Sequence, residues 1–389
     1  MTPQGQAPAL TLPPLSLYIH VPWCIRKCPY CDFNSHQSKG ELPEDEYVAA
    51  LLSDFVQDLP YVQGRAIQSI FIGGGTPSLF SADAYDTLFN GLLRYASFTD
   101  DIEITLEANP GTAEMMKFAD YRRAGINRLS IGIQSFDEQQ LGHLGRIHNS
   151  AESRRAIDFA RRAGFDNLNL DLMYGLKDQS CEQALADLHA GLSHAPEHLS
   201  WYQLTIEPNT EFYKRPPTLP PEDELINIQE AGLALLRDSG FQRYEISAFA
   251  RQGHRSRHNL NYWRFGDYLG IGAGAHGKIT LPGERRLLRT RKNRQPGHYL
   301  QGASTMQFTA GSDDIAQDDL ALEYLLNVLR LQEGFTAGAF EGATGLGYGV
   351  IAKQIESLLG KSLLCMDNDR IRPTEKGLQF LNTVLEEFL

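Results

Sequence analysis

Six short β-rich runs recur through the first 205 residues, and their spacing limits the fold more than any other feature. They are Leu17–Val21, Ser69–Ile72, Ile102–Leu106, Arg128–Ile133, Leu168–Asp171 and Leu199–Thr205. Between them Glu46–Leu59, Ala151–Ala163 and Cys181–Leu192 carry apolar residues at helical spacing. Strands alternating with helices of this length predict an α/β fold with a parallel sheet. Six such units predict a partial (βα)6 barrel of the TIM type, since a closed eight-unit barrel takes about 250 residues. A proline-rich loop, Arg215–Pro221, leads into a helix over Glu222–Ser239. Beyond residue 300 the pattern changes. Helices over Leu320–Leu331 and Tyr348–Leu359, a strand-turn at Ile371–Gly377 and a last helix predict a winged-helix-like α+β domain. The expected division is a flexible N-terminus (1–15), a barrel (16–245), a connecting segment (246–300) and a C-terminal domain (301–389).

Composition narrows the function classes. The net charge of −12 argues against nucleic acid as a partner. No run approaches the roughly 18 apolar residues of a membrane span. The start, MTPQGQAPALTLPPLS, has neither a basic leader nor an apolar core, so no export signal is expected and the compartment is cytoplasmic and reducing.

The five cysteines divide unevenly. Cys181 and Cys365 lie in helical or terminal segments and read as packing residues. The other three crowd into Cys24-Ile-Arg-Lys-Cys28-Pro-Tyr-Cys31. A structural zinc site needs a fourth protein ligand, which His20, His36 or Cys181 would have to supply. Three thiols at this spacing suit a cubane iron–sulfur cluster better, with one iron left open to an exchangeable ligand. Position supports a binding site. Cys24, Gly74, Glu107, Gln134 and Asp171 each fall just after a predicted strand, on five different strands, where barrels of this kind place their reactive groups.

Cys-x3-Cys-x2-Cys with Tyr30 before the last cysteine resembles the signature loop of the radical SAM superfamily. Its context agrees, since it follows the first strand and Gly73-Gly-Gly-Thr-Pro77 follows the second. Further segments are similar to the coproporphyrinogen-dehydrogenase-like group. These are Tyr18-Ile-His-Val-Pro-Trp-Cys24, Glu107-Ala-Asn-Pro110, Gly132-Ile-Gln-Ser-Phe136, Gly145-Arg-Ile-His148 and Asp171-Leu-Met-Tyr-Gly175. The resemblance implies a [4Fe-4S] cluster on Cys24, Cys28 and Cys31. It also implies S-adenosylmethionine bound by Tyr18, Gly74, Gly75, Thr76, Glu107, Gln134, Arg146 and Asp171.

Two branches of that group are open. One comprises oxygen-independent coproporphyrinogen III dehydrogenases of the HemN type. The other comprises heme chaperones of the HemW type, which pass heme to acceptor heme proteins. HemN-type chains carry a further cysteine two residues after the third, where this chain has Phe33, and a long N-terminal extension that is not expected here. His258-Asn-Leu-Asn-Tyr-Trp263 resembles a motif of the HemW branch. That resemblance implies heme held by His258, with Tyr262 and Trp263 as flat apolar surface. The implied partners are heme, acceptor heme proteins in the cytoplasm or at its membrane, and an electron donor if S-adenosylmethionine is cleaved. The basic run Arg285–Arg294 offers heme propionates, lipid headgroups or a partner a cationic face.

Overall fold

The computed structural model describes residues 8–38 and 40–389. Six strands, β1 (Leu15–Val21), β2 (Ile67–Gly74), β3 (Phe98–Ala108), β4 (Arg128–Gln134), β5 (Leu168–Tyr174) and β6 (His198–Gln203), lie side by side in chain order and run parallel. Helices return the chain between them. These include α1 (Glu44–Asp58), α2 (Ala82–Leu92), α3 (Phe118–Arg123), α4 (Ser150–Arg162), α5 (Cys181–Ser193) and, after β6, α6 (Glu222–Asp238). Helix α4 opens on a capping box, Asn149 with Glu152, and α5 on another, Ser180 with Gln183.

Each strand sorts its residues by period two. In β1, Leu15, Leu17, Ile19 and Val21 enter the main core with Ile70, Ile72, Leu106 and Leu129. The alternate residues Ser16, Tyr18 and His20 take the other face, where Ser16 meets Ser69 at 2.7 Å. This second face carries Ser130, Asn169, Asp171, Ser200 and Tyr202, which hydrogen-bond along it.

The expected barrel is present and extends further than its expected limits. After β7 (Gln242–Arg243) and β8 (Ala248–Ala250), which add antiparallel strands beside β6, the chain crosses to the opposite edge. The crossing is α7 (Arg257–Trp263), packed against β1 and β2. Then β9 (Asp267–Ile271) joins β1 as a seventh parallel strand. β10 (His276–Leu281), β11 (Arg286–Lys292) and β12 (Thr309–Asp314) continue antiparallel, giving one sheet of 12 strands. The expected connecting segment, 246–300, is therefore part of this sheet, as are residues up to 314. The physical reason is that β9 satisfies the otherwise open edge of β1. Lys292 locks the addition in place. Its buried ammonium lies 2.6 Å from Asp54 and 2.7 Å from Asp58 on α1.

The C-terminal domain has its own core, built on Tyr324, Leu325, Phe335, Phe340, Ile355 and Ile371. Helices α8 (Leu320–Val328), α9 (Ala337–Thr344) and α10 (Ala352–Gly360) pack with β13 (Phe335–Thr336), β14 (Leu364–Asp367) and β15 (Arg370–Pro373). The strand order β13-β15-β14, with an antiparallel β14–β15 hairpin, is the winged-helix arrangement the sequence predicts. Of the N-terminal residues expected to be flexible, 1–7 lie outside the described residues. Residues 8–14 are held against this domain: Thr11 donates its N–H to Gly342 O at 2.8 Å, and Leu10 packs on the second core. Among the described residues no helix is long and apolar enough to cross a membrane.

Candidate functional site

The cysteine loop begins where β1 ends. Residues Trp23–Cys24 pair with His36–Gln37, so the loop between them is closed at its base. Cys24 is buried, and Cys28 and Cys31 are half-buried. The glycines after β2 are required by close approach to this loop. Gly75 donates its N–H to Val21 O at 2.7 Å, and a Cβ on it would stand 2.5 Å from Trp23 O. Gly74 has φ +114°, and a Cβ there would meet the His20 ring at 2.5 Å.

The three thiols open into a basin of about 470 Å³ at the C-terminal ends of the strands. Gly74, Gly75, Thr76, Glu107, Gln134, Arg146 and Asp171 line the same basin. Ten of the residues expected from sequence therefore converge on one space, counting the cysteines.

The basin's charges are incompletely answered by the protein. Glu107 accepts a hydrogen bond from Gly74 N–H at 3.2 Å and pairs with no cation among the described residues. Burial, and then Asp171, push its carboxyl up to about 8. Asp171 is raised by burial too, although Ser130 at 2.9 Å and Asn169 at 2.8 Å donate to it. On another wall, Arg146 donates to Asn109 Oδ1 at 2.6 Å and Gly132 O at 2.7 Å, and its Nη1 lies 3.6 Å from Cys28 Sγ. Its Nε is buried and has no acceptor among the described residues. Gln134 takes a left-handed backbone, φ +68°, and Tyr202 donates to its Oε1 at 2.8 Å. A non-glycine residue in that conformation at a strand end re-aims its side chain toward the basin at a cost of roughly 1 kcal/mol.

Tyr18, placed with these residues by sequence, stands elsewhere. It lines a second cavity of about 630 Å³, together with His258, Tyr262 and Trp263. Phe33, Gly74 and Glu107 line both cavities and stand between them. Tyr18 OH lies 2.9 Å from His20 Nδ1, and His20 Nε2 lies 2.8 Å from Asn34 O. A carbonyl only accepts, so Nε2 carries the proton and Tyr18 donates to Nδ1. Burial holds His20 near a pKa of 4, which keeps this relay neutral.

Helix α7 places His258. Ser256 caps the helix, and Glu103 of β3 accepts from the N–H groups of Arg257 and His258, both at 3.1 Å. The His258 ring lies on Phe71 with centroids 5.2 Å apart. Its Nδ1 is 3.2 Å from Ser69 Oγ, while Nε2 has no hydrogen bond among the described residues. Burial lowers its pKa to about 3, so the imidazole is neutral. Tyr262 and Trp263 meet edge to face at 4.8 Å. One face of Trp263 is already taken by the Arg330 guanidinium, 4.3 Å from the ring centre, which leaves Tyr262 and Tyr268 as freer aromatic surface.

Phe71, Tyr202, Met173 and Asn34 complete these walls, and sequence reading did not single them out. The signal was present in alternation. Phe71 is two residues from Ser69, and Met173 two from Asp171, so each shares its neighbour's face.

Comparison with known proteins follows the same division. Residues 18–188 match the radical SAM superfamily, and residues 315–380 match the HemN C-terminal domain. The chain is 52% identical over 378 residues to the heme chaperone HemW of Escherichia coli, covering 97% of this chain and 99% of that protein. It is 49% identical to the heme chaperone HemW of Haemophilus influenzae, covering 97% and 98%. Among solved structures, the coproporphyrinogen III oxidase HemN of Escherichia coli, a radical SAM enzyme, superposes with a TM-score of 0.81 at 24% identity. That match covers 97% of this chain and 90% of the other, and it establishes the shared fold.

Proposed function

The chain belongs to the HemW family of radical SAM proteins, and from that premise we propose that it is a cytoplasmic heme chaperone with two adjoining sites. The strand-end basin holds a [4Fe-4S] cluster and S-adenosylmethionine. The aromatic cavity holds heme for delivery to acceptor heme proteins. The observation that carries the second assignment is His258, a neutral imidazole in an aromatic-walled cavity, with Nδ1 held by Ser69 and Nε2 free. A second hydrogen bond that orients the ring is how proteins prepare an imidazole for iron.

The residues of the basin fit the groups assigned to it. Cys24, Cys28 and Cys31 border a wide space, with the Arg146 guanidinium 3.6 Å from Cys28 Sγ. Glu107 and Asp171 are buried acids that an ammonium would neutralise, and Arg146 Nε is a buried donor that lacks an acceptor. Unanswered groups of both signs suit an amino-acid zwitterion. The cluster, once bound, supplies the electron by which such proteins cleave the sulfonium carbon–sulfur bond. What the chain itself does is position and shield. Gly74 and Gly75 admit the backbone's close approach, Tyr202 fixes Gln134, and Glu107 divides the basin from the aromatic cavity.

Anaerobically reconstituted protein tests the assignment. It should carry iron and sulfide, bind about one heme per chain and yield that heme to an apo-heme protein. Repeated conversion of coproporphyrinogen III to protoporphyrinogen IX would instead assign the cavity to a substrate and sink the chaperone reading.

A further inference from the structure

The basic run 285–294 dissolves into separate partners. Arg286 pairs with Glu284 at 2.7 Å and with Asp314 at 3.4 Å, and Arg291 pairs with Asp313 at 2.7 Å. Arg289 pairs with Glu323 at 2.5 Å, and Lys292 is buried between Asp54 and Asp58. Arg285 donates to Pro8 O at 3.5 Å. These charges are answered within the fold, so the run is not one open cationic face.

Arg294 differs. Its side chain is exposed and makes no ion pair or hydrogen bond among the described residues, and it lines the aromatic cavity. Its backbone is fixed. Asn34 Nδ2 donates to Arg294 O and to Ala273 O, each at 2.9 Å. Asn34 follows Phe33 in the cysteine loop, so the loop that bears the thiols also sets where this guanidinium starts. The other ionisable groups of the cavity do not compete for an anion. Burial lowers His20, His258 and His276 and so favours their neutral forms, and Glu107 lies on the wall shared with the basin.

We propose that Arg294 is the carboxylate-recognition residue of this cavity and selects porphyrins that carry free propionates. The inference rests on the reading of the cavity as the heme site. The chemistry is that of an amphipathic, flat ligand: Phe71, Tyr262 and Tyr268 cover the apolar macrocycle, and one unpaired guanidinium at the margin meets an anionic edge. An arginine with no carboxylate of its own loses no internal pair on binding, so the whole charge-assisted bond favours the ligand.

The test is a pair of anaerobic titrations, followed at the Soret band, with heme and with heme dimethyl ester. Wild type, Arg294→Gln and Arg286→Gln are compared. Wild type is expected to prefer heme over the ester by about tenfold, roughly 1.4 kcal/mol. Arg294→Gln is expected to lose that preference by weakening heme and not the ester, while Arg286→Gln keeps it. Retention of the preference in Arg294→Gln, or equal weakening of both ligands, overturns the role of Arg294 and leaves the heme site standing. Failure of wild type to bind either ligand, or an unchanged Soret band in His258→Ala, overturns the heme-site reading and this inference with it.

Discussion

The two cavities share Phe33, Gly74 and Glu107 and otherwise differ in their materials. The basin is made by the cysteine loop and the ends of consecutive parallel strands, and its walls carry thiols, acids, two arginines and amides beside Tyr30, Met173 and Tyr202. The aromatic cavity is made by β1, β2, β9, a crossing helix, the loop before β10 and Phe33 and Asn34 of the cysteine loop, and rings make up most of its walls. In the basin, charges lack counterparts that a bound ligand would supply. In the aromatic cavity the imidazoles favour their neutral forms, and the free capacity is surface, one ring nitrogen and one guanidinium. A polar basin built on rigid strands suits a small charged cofactor held in one pose. An apolar cavity with few directional groups suits a bulky cargo that must also leave.

If the two sites are separable, the greatest single loss should be confined to one of them. Cys28→Ala should bring iron and sulfide close to background after anaerobic reconstitution, because a three-thiol site has no spare ligand. Its heme affinity should stay within about twofold of wild type, since no cysteine borders the aromatic cavity. A parallel loss of heme binding would mean that the cavities are one site.

Glu107, in the shared wall, should reveal itself through pH. Its folded pKa of about 8 stands above the unfolded value near 4.5, so the unfolded chain releases this proton first as pH rises. The stability associated with the protonated acid is therefore full below about pH 4.5 and is lost as pH rises through 8. Melting of ligand-free Glu107→Gln should gain on wild type between pH 5 and 8 by a few kcal/mol and level off above that range. Saturating S-adenosylmethionine should shrink the difference by pairing the carboxylate. Parallel melting curves at every pH would remove Glu107 as an unanswered acid.

Smaller effects should fall on the aromatic side alone. His258→Ala should weaken heme by about tenfold, ~1.4 kcal/mol, and shift its Soret band while cluster content stays constant. Ser69→Ala, which frees Nδ1 without removing the ligand, should weaken heme only about threefold, ~0.6 kcal/mol, consistent with one neutral hydrogen bond. Calorimetric or absorbance titrations read both, and the order of the two effects matters more than either size.

The same contrast explains what the sequence disclosed. The basin was legible because its members follow strands in order: Cys24 after β1, Gly74 ending β2, Glu107 near the end of β3, Gln134 ending β4, Asp171 within β5. Local pattern and three-dimensional position coincide there. The aromatic cavity is assembled by β9, which pairs with β1 from the far end of the barrel segment, and Asp267-Tyr-Leu-Gly-Ile271 reads locally as a glycine–aromatic loop. Nothing in short-range pattern announces such a long-range pairing, so residues 246–300 looked like a connection and the neighbourhoods of Phe71, Asn34 and Arg294 stayed hidden. The left-handed turn at Gln134 was equally silent, because glutamine has no special preference for it. Tyr18 was assigned with the basin by the family resemblance alone. It lies on the same face of the sheet as the basin residues and lines the aromatic cavity, beside Glu107.

Strand β3 has a consequence for how such a pair of sites can evolve. Glu103 anchors the helix that bears His258, and Glu107, four residues on, stands in the wall between the cavities. Along an extended strand that interval is about 13 Å. Both carboxylates must face the same side, so a one-residue insertion or deletion between them would turn one of them toward the helices. The separation can change only by two residues at a time, in jumps of roughly 7 Å. The distance between the helix that bears His258 and the wall at Glu107 is thus a stepped quantity, set by the pleat of one strand.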